Sequence, residues 1–348
     1  TLVTPFYIGG ATQTGTSYVN NVSIKNVSMG FDPRGTLAGF SAHDLGDTPT
    51  EVLVARVKTA AFFISCAEVL EMQDFNMLGL SAGNGGVIDL SLFQPKVFNC
   101  DGIYLKNFLS TGTTAPPFRV RIEGRTTAGG GEEGSRGSIK NLVVDASGAS
   151  SSAVHETGGA SNSGALVGVL PNGRVVLQSP VLVGSTHATG RGLLLFNGEL
   201  TAGWHDGYGL KVYGGRFHNH KVASIYHFGS LTASVLGASN TDIIACEFTG
   251  LGRGVYFPHA AVANPGQTLR VSDCTFDEVD QVGCDILGEV TQVHVTNNTF
   301  VECNGGGVVI QCRLGSASFQ PEVIVMGNSF SDPLALLNVF NPSLQRGV

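Results

Sequence analysis

The stretch Leu210-Lys211-Val212-Tyr213-Gly214-Gly215-Arg216-Phe217 decides how this chain folds. An apolar–polar alternation runs into a small residue and then Phe. The pattern returns ending at Phe248, Phe276, Phe300 and Phe330, at spacings of 31, 28, 24 and 30 residues. Aligned on that Phe, the positions form columns. Five residues before it stand Val212, Ile243, Val271, Val295 and Val325; seven before it stand Leu210, Thr241, Leu269, Val293 and Val323. Two before it stand Gly215, Cys246, Cys274, Asn298 and Asn328. Aliphatic columns separated by one residue are the signature of a strand with one buried face. Lys211, Asp242, Arg270 and His294, six before Phe, are expected to point outward.

Working outward, a shorter form appears at Ile24-Lys25-Asn26-Val27, Met72-Gln73-Asp74-Phe75, Leu105-Lys106-Asn107-Phe108 and Ile139-Lys140-Asn141-Leu142. Repeats of this length, with two or three short strands and Gly/Asn turns, predict an all-β chain: a right-handed parallel β-helix with loop excursions. A sandwich or propeller is the competing all-β reading, but propeller blades need four strands in about 40–45 residues. Coils stacked ~4.8 Å apart place like residues above one another. The Phe rings should therefore stack inside, Asn298 and Asn328 should form an amide ladder, and Cys246 and Cys274 should be reduced neighbours. The body is expected to span residues 1–332, with loops near 111–137 and 146–174. Residues 333–348 form a cap or a tail packing on a partner.

Composition agrees. The chain has 48 Gly in 348 residues, 42% hydrophobic and 14% charged residues, and a formal net charge of −7. This excludes disorder, collagen and coiled coil, and disfavours a broad nucleic-acid-binding surface. The longest apolar runs, such as Leu193 to Phe196, are too short to span a membrane. No membrane insertion is expected. The seven Cys include no C-x-x-C pair, and neither H-E-x-x-H nor other metal-ligand spacing occurs. No metal, cofactor or disulfide framework is expected, and most thiols should be buried and free. The start at Thr1, without Met, suggests a fragment or processed product.

Chemistry concentrates between Trp204 and His227, which holds the only Trp, three Tyr and four His. Trp204, His205, Asp206 and Tyr208 put rings, an imidazole and a carboxylate together, which suits a carbohydrate subsite. The blander reading makes Trp204 a loop plug and the His residues surface polar groups. His155, Glu156 and His187 read as surface residues. Asp242 should lie between Lys211 and Arg270, cations that favour its ionised form. Glu247 should have Arg216 beside it one coil away. Both acids read either as catalytic carboxylates or as cross-coil ion pairs. A further acid-rich stretch holds Asp273, Asp277, Glu278, Asp280, Asp285, Glu289 and Glu302. Glu278, Glu302 and Asp332 share a column. It reads as a solvated face, as catalytic acids or as a weak calcium site.

The coils from about residue 20 to 332, with their Gly/Asn turns, resemble the β-helical body of bacteriophage tailspikes, polysaccharide depolymerases that are usually trimeric. Asn240-Thr241-Asp242 also matches a short motif of pectin-degrading hydrolases, whose Asp-Asp and Gly-His-Gly motifs are absent here. The tailspike resemblance implies an enzyme that binds and cleaves a bacterial surface polysaccharide, capsule or O-antigen. It further implies a homotrimer, attachment to a phage tail or baseplate through a preceding part, and a virion-tail or extracellular location. Glycoside hydrolysis is the first expectation, with Asp206, Asp242 and Glu247 as candidate acids and His205 orienting a carboxylate or shuttling a proton. Trp204, Tyr208 and Tyr213 would stack on sugars, and Arg216 would hold acidic groups. Lyase or epimerase chemistry, or a non-catalytic glycan-binding adhesin or structural spike, are the alternatives.

Overall fold

A computed structural model describes residues 6–8, 19–30, 62–64, 67–78, 81–82, 88–93, 96–106, 109–110, 118–123, 135–145, 163–169, 173–184, 191–197, 208–228, 239–250, 252–258, 267–287, 290, 292–311, 322–331 and 337–339. Every strand pairing among them is parallel, and strands pair with those one coil away, in a 16-stranded and an 11-stranded sheet. A two-stranded pairing joins Ser81–Ala82 to Leu109–Ser110. Parallel neighbours a full coil apart define a parallel β-helix.

The 16-stranded sheet has two legs. Its first leg includes Gly173–Gln178, Tyr208–Tyr213, Ser239–Ile244, Gln267–Ser272, Gln292–Thr296 and Glu322–Met326. Its second leg includes Val181–Val183, Arg216–His218, Glu247–Gly250, Thr275–Val279, Thr299–Val301 and Ser329–Phe330. Earlier strands, Val19–Gly30, Ala67–Leu78, Val97–Lys106 and Ser135–Asp145, run through both legs. Between the legs one residue per coil turns the chain with positive φ. That column passes from Asn26, Asp74, Gly102, Asn141 and Ser179 through Gly214, Ala245 and Asp273 to Asn297 and Gly327. Asn, Asp and Gly dominate it because they tolerate the left-handed conformation best.

The apolar columns form as the sequence predicts. Val212, Ile243, Val271, Val295 and Val325 are register partners in turn, as are Leu210, Thr241, Leu269, Val293 and Val323. Phe217, Phe248, Phe276, Phe300 and Phe330 stack with centroid separations of 5.1, 4.6, 4.7 and 5.1 Å and interplanar angles of 8–12°. Such a stack leaves no room across the core. A Cβ on Gly254 or Gly283 would sit 2.5 or 2.7 Å from a Phe276 or Phe300 ring carbon, so the facing strand carries glycine there.

The column beside the left-handed bend is a continuous ladder. Gly215 N–H donates to Cys246 Sγ and Cys246 N–H to Cys274 Sγ, each at 3.4 Å. Cys274 N–H donates to Asn298 Oδ1 and Asn298 N–H to Asn328 Oδ1, each at 2.9 Å. The thiols also donate, Cys246 to Ile244 O at 3.4 Å and Cys274 to Ser272 O at 3.2 Å. Each thus serves as donor and acceptor and is reduced, and buried Cys100, Cys284 and Cys303 are likewise outside any disulfide. Burial holds the Cys274 thiol well above its ordinary range and pushes Cys100 up to about 12. Cys66 and Cys312 lie outside the described residues.

Two expectations need correction. Leu105-Lys106 does not occupy the repeat position of Ile139-Lys140; Cys100-Asp101 does, and Leu105 pairs with Val144. The left-handed residue sets this register, and there it is Gly102, not Asn107. Strands also lie inside the ranges 111–137 and 146–174 expected as loops. Phe118–Glu123 and Ser163–Val169 are strands of the 11-stranded sheet, and Ser135 and Gly173 open strands of the other. Flanking Gly and Ser hid these short apolar runs. At the other end Leu337–Val339 pairs with the Gly306–Ile310 strand.

Candidate functional site

Alternation along the first leg sends one residue in two outward, and pairing by coil arranges these into rows parallel to the helix axis. One row runs Val176, Lys211, Asp242, Arg270, His294 and Ile324. A second runs Arg136, Arg174, Gly209, Asn240, Thr268, Gln292 and Glu322. Its lower end is tied together: Thr268 Oγ1 donates to Gln292 Oε1 at 3.1 Å, and Gln292 Nε2 to Glu322 Oε2 at 3.0 Å.

The upper part of these rows borders an open cleft of about 310 Å³, lined by Arg174, Val176, Lys211, Asn240 and Asp242 among others. Gly209 also lines it, and among the described residues a Cβ there would meet only Arg174 Cγ, at 3.9 Å. The missing side chain therefore leaves space rather than relieving a clash. Asp242 is half-buried between Lys211 and Arg270 and forms no ion pair among the described residues. Lys211 Nζ lies 5.9 Å from the centroid of the Tyr213 ring, and Tyr213 is 44% exposed. The cleft thus offers cations, a carboxylate, an amide and a neighbouring exposed ring.

Glu247 lies in the same coil as Asp242 but beyond the bend at Ala245, so it faces outward from the second leg. There it forms an ion pair with Arg216, its register partner, at 3.2 Å. Both side chains are more than half exposed, so the pair contributes little to stability. Tyr208 begins a first-leg strand opposite Ser239. Trp204, His205 and Asp206 lie outside the described residues, as do His155, Glu156, His187, Glu289 and Asp332.

The remaining histidines of the Trp204–His227 stretch divide by position. His218 is half-buried, with Nδ1 2.7 Å from Thr249 Oγ1. His220 and His227 are interior groups, not the surface residues of the blander expectation. His220 Nε2 donates to Leu182 O at 3.0 Å, and His227 stacks on Phe257 at 4.2 Å. Burial lowers their pKa values to about 4 and about 3, so both are neutral imidazoles.

The acid-rich stretch also divides. Glu278 and Glu302 are exposed left-handed corner residues on successive coils. Among the described residues, no three His, Cys, Asp or Glu form a group able to hold a metal ion. Asp285 is not part of that face. It lies on the 11-stranded sheet, where it accepts from Arg253 Nε at 2.6 Å and is almost fully buried.

That sheet carries a cluster the repeat alignment missed. Arg191 lies over the Tyr226 ring at 4.2 Å and Arg253 over the Tyr256 ring at 4.4 Å. The two Tyr rings meet edge to face at 5.3 Å. Burial lowers the pKa of Arg191 and raises that of Tyr256. Arg174 was missed for a related reason. Its strand matches the repeat at Val175 and Leu177, but Leu182 replaces the expected Phe.

Residues 193–333 match the family model described as right handed beta helix region. The fold is a right-handed parallel β-helix, and the match contains Gly209, Lys211, Asn240 and Asp242 of the cleft and Tyr226, Arg253, Tyr256 and Asp285 of the other cluster, but not Arg174, Val176 or Arg191. No curated protein and no solved structure matches the chain.

Proposed function

We propose that the first-leg cleft is a glycan subsite and that the protein is a tailspike-like β-helix that binds and cleaves a bacterial surface polysaccharide. The observation that carries this is the cleft of about 310 Å³ lined by Arg174, Gly209, Lys211, Asn240 and Asp242. Concave sites with a few converging polar groups are where saccharide hydroxyls and carboxylates are held. The exposed Tyr213 ring supplies a face for sugar C–H groups. Its partners in this reading are capsule or O-antigen, two further copies of the chain, and a phage tail or baseplate reached through a preceding part. Its location is then the virion tail or the extracellular space.

Hydrolysis is the reaction assigned first. Asp242 is the cleft carboxylate and activates water, while a second carboxyl group protonates the leaving oxygen. Asp206, two residues before the Tyr208–Tyr213 strand, is assigned that role, since Glu247 faces another leg and is engaged by Arg216. Lys211 beside Tyr213 favours lyase chemistry as the second reading, with the cation neutralising a uronate carboxylate.

Incubation with a panel of capsular and O-antigen polysaccharides tests both. New reducing ends without an unsaturated product mean hydrolysis, and an ultraviolet-absorbing unsaturated end means a lyase. Asp242→Asn should lower turnover by about 10²–10⁴ while retaining binding. Binding without cleavage would reduce the protein to an adhesin. No binding to any glycan would refute the proposal.

A further inference from the structure

The first-leg face carries more positive charge than one cleft uses. From the Ser135–Asp145 strand to the Gln267–Ser272 strand its outward rows hold Arg136, Lys140, Arg174, Lys211 and Arg270. Asp242 is the single acid in those rows over this span. The chain as a whole has a net charge of −7, so this strip opposes the overall balance. Arg136 and Arg174 are direct register partners on successive coils, and both are exposed. Like charges placed directly opposite destabilise a sheet. None of these five cations forms an ion pair among the described residues. Lys140 has Asp101 as a register partner, but that carboxylate accepts from Asn141 Nδ2 at 2.8 Å.

We infer that this strip binds a polyanionic glycan lying along the helix axis, across coils, with its carboxylate or sulfate groups on Arg136, Lys140, Arg174, Lys211 and Arg270. The inference rests on the glycan reading of the cleft and names the chemistry and direction of its ligand. Five strands at ~4.8 Å give a strip about 19 Å long, enough for several sugar rings but not for a single small anion. Guanidinium groups offer paired donors that match carboxylate and sulfate oxygens. Exposed Val176 lies among the cations and exposed Val97 beside Arg136 at the strip's end, and both give sugar C–H faces an apolar bed. The strip ends where its charge ends, at the Gln292–Glu322 hydrogen bond on one side and at Asp101 on the other. A polymer running around the coil would cross at most two of these cations; one running along the axis meets all five.

The experiment measures binding of polygalacturonate, hyaluronate and polysialic acid, with dextran as the neutral probe, at low and high NaCl. The expected result is binding of at least one polyanion, weakened about tenfold or more by salt, and weaker binding of dextran. The double variant Arg136→Gln, Lys140→Gln lies outside the cleft. It should weaken long polyanions about fivefold or more while leaving a disaccharide of the same glycan unaffected. Equal binding of dextran, or no effect of the double variant on long chains, would overturn the polyanion strip. If cleft binding then still depended on Lys211, and turnover on Asp242, the proposed function would stand without it. A single-stranded oligonucleotide bound as tightly as the glycans would also overturn the inference. Binding of no saccharide, charged or neutral, would remove both readings together.

Discussion

Two outward faces of one scaffold use the same residue types in opposite ways. On the first leg, Lys211, Asp242 and Arg270 succeed one another on neighbouring coils without pairing among the described residues, beside an open cleft. On the 11-stranded sheet, Arg253 spends its guanidinium on Asp285 at 2.6 Å and on the Tyr256 ring. The difference is burial and partner geometry. The Asp285 carboxylate is almost fully buried, and an ion so placed requires its partner. A half-exposed column does not, and its charges remain available to a ligand. Residue type alone is therefore a poor guide to function on this fold.

The contrast can be broken in several ways. The largest effect is expected in the shared core. Val271→Asp places an unpaired charge in a dry column and should cost several kcal/mol, with both faces lost in one cooperative unfolding transition. Retention of one face's function in a stable variant would show that the faces do not share a core.

Next comes the exchange of roles. Asp285→Ala should destabilise by about 3 kcal/mol, because Arg253 is left without its carboxylate, while glycan binding at native temperatures is unchanged. Asp242→Asn should leave the melting temperature in place and lower turnover, with glycan binding retained. If Asp285→Ala removed turnover in a folded protein, the 11-stranded face would become the catalytic one and the comparison would invert.

Acid provides a third test. His220 and His227 have folded pKa values of about 4 and about 3, below the ordinary 6.5. In the unfolded chain they take up protons once the pH falls below about 6.5, while the folded chain keeps them neutral. Stability should thus be full above that pH and fall as the pH drops towards 4. Thermal unfolding from pH about 7.5 to about 4.5 should show the decline, reduced in His227→Phe, whose ring can keep the stack on Phe257. A flat profile would place these imidazoles in contact with solvent. The smallest effect belongs to Arg216→Gln, which should cost less than about 1 kcal/mol because the Glu247 pair is exposed. A larger loss would give the second leg a role it does not have here.

Much of the fold was legible because a β-helix writes its contacts as periodicity. The Phe217-to-Phe330 stack, the Val271 column and the Asn298–Asn328 rung each join residues at equal distance from a repeated marker. The early coils were harder, since their register follows the left-handed residue, which is Gly102 in one coil and Ser179 in another. Within the candidate site, the placement of Asp242 between Lys211 and Arg270 and the Arg216–Glu247 pairing followed from the same columns. Asp285 could not be separated from the acid-rich stretch by sequence, because its partner Arg253 is 32 residues away on the preceding coil.

The sequence by itself determined the strand alternation, the coil period and the content of each stacked column, because parallel in-register pairing puts residues of like position directly over one another. Only the tertiary structure decided which charges meet. Whether a carboxylate faces a guanidinium depends on the bend between legs, the side of the sheet and the depth of burial. It was the closing of each coil that buried His220 and His227, paired Asp285 with Arg253, and left Asp242 beside an open cleft.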